Sequence, residues 1–336
     1  MRHLLLWFSG GILLIWSFGA LWFDASPPVA WGFLLAMLAA ACLWGIRKSC
    51  FIPFLGFVIV LGWWLTLSPS NNRHWQEDVS RLPWAEKLGN IVIFHNLRAF
   101  DYPADGKPIP AWETLSYDLN ELEGIDLAMN YWGSSLIAHP IIIFRFRNAP
   151  PLAFSIETRR EDIEEYSALA GLYRKYEQIV VAGGERDILR VRTNHRKGED
   201  VYLYSTAATP EKARKRLLEY ITLINSLRDN PRWYNVLTSN CTTAILSIRN
   251  EAPLPHDIRL LLNGKLDEML YELGFLKNDG LPFETLKQRA LINPAAVASQ
   301  DSQDFSQKIR ENRPGFVING SLVPRVSSPP AKSPQK

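Results

Sequence analysis

The sequence is poor in cysteine and in net charge, and residues 1–68 are poor in charge of either sign. Three cysteines in 336 residues exclude a disulfide-built scaffold. A net charge of +3 gives no electrostatic footprint for nucleic acid, so none is expected as a partner. There is no HExxH and no Cys/His cluster at ligand spacing, so neither a metal site nor any other cofactor is expected. A glycine-rich phosphate loop is also missing, and Ala182-Gly183-Gly184 reads as a turn.

Residues 1–68 contain only Arg2, Asp24, Arg47 and Lys48 as charged side chains. Three apolar runs, 4–23, 29–46 and 51–67, each approach the ~20 residues that a helix needs to cross ~30 Å of hydrocarbon. They predict three transmembrane helices. Cations precede the first run and separate the second from the third, whereas the first hairpin carries Asp24 alone. That asymmetry predicts a cytoplasmic N-terminus and an extracytoplasmic position for everything after about Leu67. The protein is then expected to be integral to the membrane, its outer domain held close to the bilayer by the short polar stalk that starts at Ser68.

Beyond the stalk, β-branched and alternating content predicts strands at 90–97, 114–119 and, more weakly, 126–132. A stronger hairpin is predicted from His139–Arg147 and Leu152–Thr158, turning at Asn148-Ala149-Pro150-Pro151. A helix is predicted over Glu161–Lys175, then short strands at 177–182 and 201–205. Thr209-Pro210 opens a further helix whose stripe is Leu217, Leu218, Ile221 and Ile224. Helical stretches are expected near 257–275, 284–291 and 295–311, and the Ser/Pro/Lys-rich last residues read as disordered. The division expected is 1–68 for the membrane helices, 69–255 for a catalytic α+β domain with an antiparallel sheet, 256–320 for a helical extension and 321–336 for the tail.

Cys241 is the cysteine of that outer domain, with no partner there for a disulfide. Ser239 and Asn240 are cap-forming residues, so Cys241 falls in the first turn of a helix, where unpaired N–H groups favour a thiolate. A thiolate nucleophile needs a base. The outer domain offers His74, His95, His139, His195 and His256; His195 lies in a stretch that is a loop by composition. His139 is preferred, since it opens an apolar strand and is fixed at a sheet edge. Matching the polar faces of the hairpin puts Glu157 on the side of His139 as the group that orients the imidazole. An ion pair of Glu157 with Arg145 or Arg159 is the alternative.

The blocks Ser70-Asn71-Asn72-Arg73-His74-Trp75, Tyr131-Trp132-Gly133, Ile137-Ala138-His139, Ser155-Ile156-Glu157-Thr158-Arg159 and Trp233-Tyr234-Asn235 through Asn240-Cys241-Thr242-Thr243 together resemble the Lnb N-terminal periplasmic domain family. The resemblance covers roughly residues 70–250. That family is named after a lipoprotein N-acyl transferase, and the order His, strand, Cys at a helix start is similar to permuted papain-like and NlpC-type cysteine enzymes. The resemblance implies a permuted papain-like domain on the periplasmic side of a bacterial inner membrane. It also implies Cys241 as nucleophile, His139 as base and Glu157 as third polar residue. Tyr234, Asn240 and Arg159 are the candidate substrate-binding residues, the first two near the oxyanion.

The activity expected is a membrane-tethered cysteine acyltransferase that works through a thioester on a membrane lipid or lipoprotein. Two alternatives stay open: a cysteine hydrolase of cell-wall or lipid amides, and a non-catalytic anchored binding module in which Cys241 is a buried small hydrophobe. Nothing in the sequence identifies a protein partner.

Overall fold

The computed structural model describes residues 2–44, 51–103, 106–236, 259 and 263–316. Among these the chain forms two compact units. The first lies within Met1–Gln76, Thr158–Gln178 and Asn230–Asn240, the second within Glu77–Glu157, Ile179–Asp229 and Cys241–Lys336.

The first unit begins with three helices, α1 (Arg2–Asp24), α2 (Pro27–Trp44) and α3 (Ile52–Thr66). Large aromatic rings fill the space between α1 and α3: Trp16 meets Phe57 and Trp64 edge-on, at centroid distances of 5.4 and 5.3 Å. Trp64 Nε1 donates to Asp24 Oδ2 at 2.7 Å. The Tyr173 hydroxyl lies against Gly19, where a Cβ would stand 2.0 Å from it and push the ring end aside.

The expectation of a three-helix transmembrane segment is corrected here. Among the described residues no helix is long and apolar enough to cross a membrane. At 1.5 Å a residue, α3 with 15 residues spans about 22 Å and α2 with 18 about 27 Å, short of ~30 Å of hydrocarbon. The third apolar run, 51–67, is longer than α3, and α1, which is long enough, has Ser9, Gly10, Gly11, Ser17 and Gly19 along its length.

The helix predicted over Glu161–Lys175 is also absent. Glu161 forms a bridge to Trp75, and Gln76 N–H donates to Arg160 O while Asp162 N–H donates to His74 O, each at 2.9 Å. This pairing holds the chain extended where the helix would start. Turns follow, with one 3₁₀ turn at Ala170–Leu172. The apolar stripe meant for a helix finds no surface to cover: Ile163 is 93% exposed, and a helix without tertiary packing is marginal at this length.

The second unit is built on one eight-stranded sheet. Its strands are β1 (Trp84–Leu88), β2 (Ile91–Arg98), β3 (Trp112–Asp118), β4 (Leu122–Trp132), β5 (Ala138–Phe146), β6 (Leu152–Arg159), β7 (Glu177–Gly184) and β8 (Glu199–Ser205). The order is β1-β2-β7-β6-β5-β4-β8, with β3 also paired to β2. The sheet is mixed rather than antiparallel throughout, because β2 and β7 pair in parallel at Arg98 and Gly183. Ala182-Gly183-Gly184 thus ends a strand and is not a turn. A Cβ on Gly183 would meet Arg98 O at 2.2 Å, so the glycine answers to backbone approach.

Both faces of the sheet are buried. Helix α5 (Pro210–Asp229) lays Ala213, Leu217, Tyr220, Ile221, Ile224 and Leu227 over one face, against Leu127, Met129, Ile142, Phe144 and Phe154. Ile141, Ile143, Ala153, Val181 and Leu203 on the other face are covered by Ile188, Leu189, Ile292, Ala296, Phe305 and Ile309. Those covering residues come from α4 (Glu185–Ile188), the turn that follows it, and the C-terminal elements. The latter are four short helices, α6 (Leu266–Glu272), α7 (Phe283–Ala290), α8 (Asn293–Ala298) and α9 (Phe305–Lys308). They serve both cores: Leu266, Met269 and Leu286 join the α5 side, and Ala296 and Phe305 the other.

Candidate active site

The β5–β6 hairpin pairs Ile142 with Phe154, Ile143 with Ala153 and Phe144 with Leu152. Even-numbered residues of both strands enter the α5-side core. Alternation then turns the odd-numbered His139, Ser155 and Glu157 to the opposite face. Pro140, directly after His139, has no N–H to give, and Ala138 N–H is held at 2.9 Å by Asn263 Oδ1. His139, the second residue of β5, is therefore held at a fixed position.

On that face the side chains form a short polar chain. His139 Nε2 lies 2.6 Å from Ser155 Oγ, and Ser155 Oγ lies 2.6 Å from Glu157 Oε1, which accepts its proton. Arg192 completes the chain from another element: its Nη2 donates to Glu157 Oε1 at 2.6 Å and its Nη1 to Ile188 O at 2.6 Å. Ser155 and Arg192 are buried, while His139 and Glu157 are half-buried.

Arg192 reaches the site because Val191–His195 forms a π-helical turn, closed by Arg196 N–H donating to Val191 O at 2.9 Å. The wider turn brings the arginine back toward β6, and such turns concentrate at functional positions. This replaces the loop expected around His195. The His195 ring instead lies against Tyr102 at a centroid distance of 4.9 Å.

The charges follow from these contacts. Burial pushes the His139 imidazole down to about 4, and the Arg192 charge adds to the effect against the opposing pull of Glu157. The ring is neutral at pH 7. For Glu157, burial alone would raise the carboxyl; Arg192 reverses that, helped by His139 and Arg98, and holds it well below the usual carboxylate range. A neutral imidazole and a firm carboxylate therefore stand on one face with a hydroxyl between them.

The alternative pairings of Glu157 are not those found. Arg145 instead bonds Asp126 Oδ1 at 3.0 Å. Arg159 belongs to the first unit, buried there, with Asn71 Oδ1 at 3.0 Å and its guanidinium over Trp75 at 4.3 Å. Tyr234 is buried in the same unit, its N–H on Tyr176 O at 2.9 Å. Cys241 and Asn240 lie outside the described residues. The structure thus joins His139 and Glu157 through Ser155 and adds Arg192, which the sequence reading passed over because it lies 35 residues beyond Glu157. Among the described residues no group of three or more His, Cys, Asp or Glu side chains is placed to hold a metal ion.

Residues 109–264, which include His139, Ser155, Glu157, Arg192 and Cys241, match the family model of the Lnb N-terminal periplasmic domain. The match supports that family for this part of the chain and an extracytoplasmic position for it. No curated protein and no solved structure matches the chain.

Proposed function

We propose that this protein is a cysteine-dependent acyltransferase acting on a lipid-linked substrate, with Cys241 as nucleophile and His139 as general base and acid. The observation that carries the reading is the chain His139–Ser155–Glu157–Arg192, which fixes a neutral imidazole on one sheet face. A neutral ring accepts a proton at pH 7, as a base for a thiol must. The family match and the sequence pattern around Cys241 support the choice of nucleophile.

In the first step the Cys241 sulfur bonds to an acyl carbonyl carbon while its proton passes to His139. The bond to the departing oxygen or nitrogen then breaks, and His139 returns the proton to that group, leaving a thioester. In the second step an amine or hydroxyl attacks the thioester, gives its proton to His139, and carries the acyl group away as the thiol re-forms. A lipoprotein is the substrate that the family name suggests.

The test uses the full chain with a lipidated peptide carrying ester-linked acyl chains, read by mass spectrometry. Transfer to an amine, lost to background in both Cys241→Ala and Cys241→Ser, supports the proposal. Activity retained in both variants overturns it, and release of free fatty acid without transfer assigns hydrolysis instead.

A further inference from the structure

We infer that Ser155 and Arg192 are positioning residues that fix His139 as its Nε2–H tautomer, so that the proton-accepting atom is Nδ1. The inference deepens the acyl-transfer reading and rests on it only for the identity of the nucleophile.

The argument is a count of protons. Three contacts converge on Ser155 Oγ: Glu157 Oε1 at 2.6 Å, His139 Nε2 at 2.6 Å and Arg192 Nη2 at 3.4 Å. A hydroxyl has one proton to donate and two lone pairs. Glu157 is a carboxylate, held so by Arg192, and has no proton to offer. The serine proton must therefore lie toward Glu157. Arg192 is a donor only, so the remaining short contact, to His139 Nε2, needs its proton from the ring. A neutral imidazole with hydrogen on Nε2 has its basic lone pair on Nδ1.

The same count excludes Ser155 as the nucleophile. Its proton is committed to Glu157, so His139 cannot remove it, and the residue is 0% exposed. Arg192 is the element that makes the arrangement one-directional, since without its charge the Glu157 carboxyl could take up a proton and return it to the serine. Its Nε has no hydrogen-bond partner among the described residues. That is a cost accepted with the fork turned to Glu157 and Ile188.

The decisive measurement is a long-range proton–nitrogen spectrum of the full chain labelled with ¹⁵N-histidine, at pH 7, with His139→Gln to assign the signals. An Nε2–H ring at His139 is the expected result; an Nδ1–H ring overturns the inference whatever the enzyme's activity. Ser155→Ala is expected to mix the two tautomers and to slow alkylation of Cys241 by iodoacetamide about 10-fold or more. It should also shift the pH midpoint of that reaction, set by His139 among Glu157, Arg192 and Arg196. Ser155→Thr, which keeps the hydroxyl, should recover most of the rate. A Ser155→Ala protein with an unchanged ring spectrum and unchanged alkylation overturns the positioning role. If Cys241 proves dispensable while the ring is Nε2–H, the acyl-transfer reading fails and the tautomer assignment stands, so the two failures are distinct.

Discussion

Arg192 Nη2 lies 2.6 Å from Glu157 Oε1, the arginine 2% and the glutamate 16% exposed at the side chain. Removing one partner of a buried pair costs more than the pair contributes, because the other charge is left in a poor solvent. Arg192→Met is therefore expected to lower unfolding stability by about 3–5 kcal/mol, read from the urea midpoint. Arg192→Lys keeps the charge and loses the fork, and should fall between the variant and the native protein.

The two titrating groups of this site make the fold sensitive to acid. His139 is pushed from 6.5 down to about 4, so between those values the unfolded chain binds the proton that the folded chain refuses. Its contribution is complete above about pH 6.5 and is lost as pH falls toward 4. Glu157, held below its ordinary 4.5, adds a loss that begins near that value and continues at lower pH. Compared with His139→Gln, the thermal midpoint of the native protein should fall more steeply between pH 7 and pH 4.

Glu177 in the first unit has the opposite sign. Burial pushes its carboxyl from 4.5 up to about 7, against the Ser70 N–H and the Arg73 charge, each 3.0 Å away. The folded chain keeps the proton longer than the unfolded chain does. Its contribution is present below about pH 4.5 and is lost as pH rises through 7. Glu177→Gln is expected to remove this loss, so the variant gains on the native protein between pH 5 and pH 8 in thermal melts.

Arg310 ties the C-terminal segment into the second unit. Its guanidinium bonds Asp126 Oδ2 at 2.8 Å and Glu185 Oε1 at 2.6 Å, two carboxylates with no exposed side-chain surface. Arg310→Met leaves both buried with less compensation and should cost roughly 3–5 kcal/mol. Lys308→Met, which removes an exposed contact to Glu311, should change unfolding stability by less than about 0.5 kcal/mol, read from urea unfolding.

Local periodicity made much of the second unit legible. The hairpin of β5 and β6 and the stripe of α5 follow from alternation and from the i, i+3, i+4 pattern, because a sheet face or helix face against a core leaves that trace in the sequence. The strand β1 was missed: Trp84–Leu88 shows three exposed positions of five and so lacks a buried-face pattern. Glu161–Lys175 failed for the converse reason, since its residues are spaced for a helix but Trp75 and His74 hold its start extended. The apolar runs of α1 to α3 are plain in composition, but a run does not fix both the length and the apolarity of the helix it forms, and among the described residues no helix has enough of both to cross a membrane.

The candidate site divides in the same way. That His139 and Glu157 share a face is a consequence of parity within one hairpin, and parity can be read from residue order. That Ser155 stands between them, and that Arg192 backs them, required a π-helical turn and the fold of the sheet around it. The amino-acid sequence by itself determined the apolar N-terminal segment, the hairpin, the α5 stripe and the placing of His139 and Glu157 on one face. Only tertiary structure decided which cation neutralises Glu157 and which nitrogen of His139 meets Ser155. Hydrogen bonds between distant elements depend on distances of a few tenths of an ångström, and sequence spacing carries no record of them.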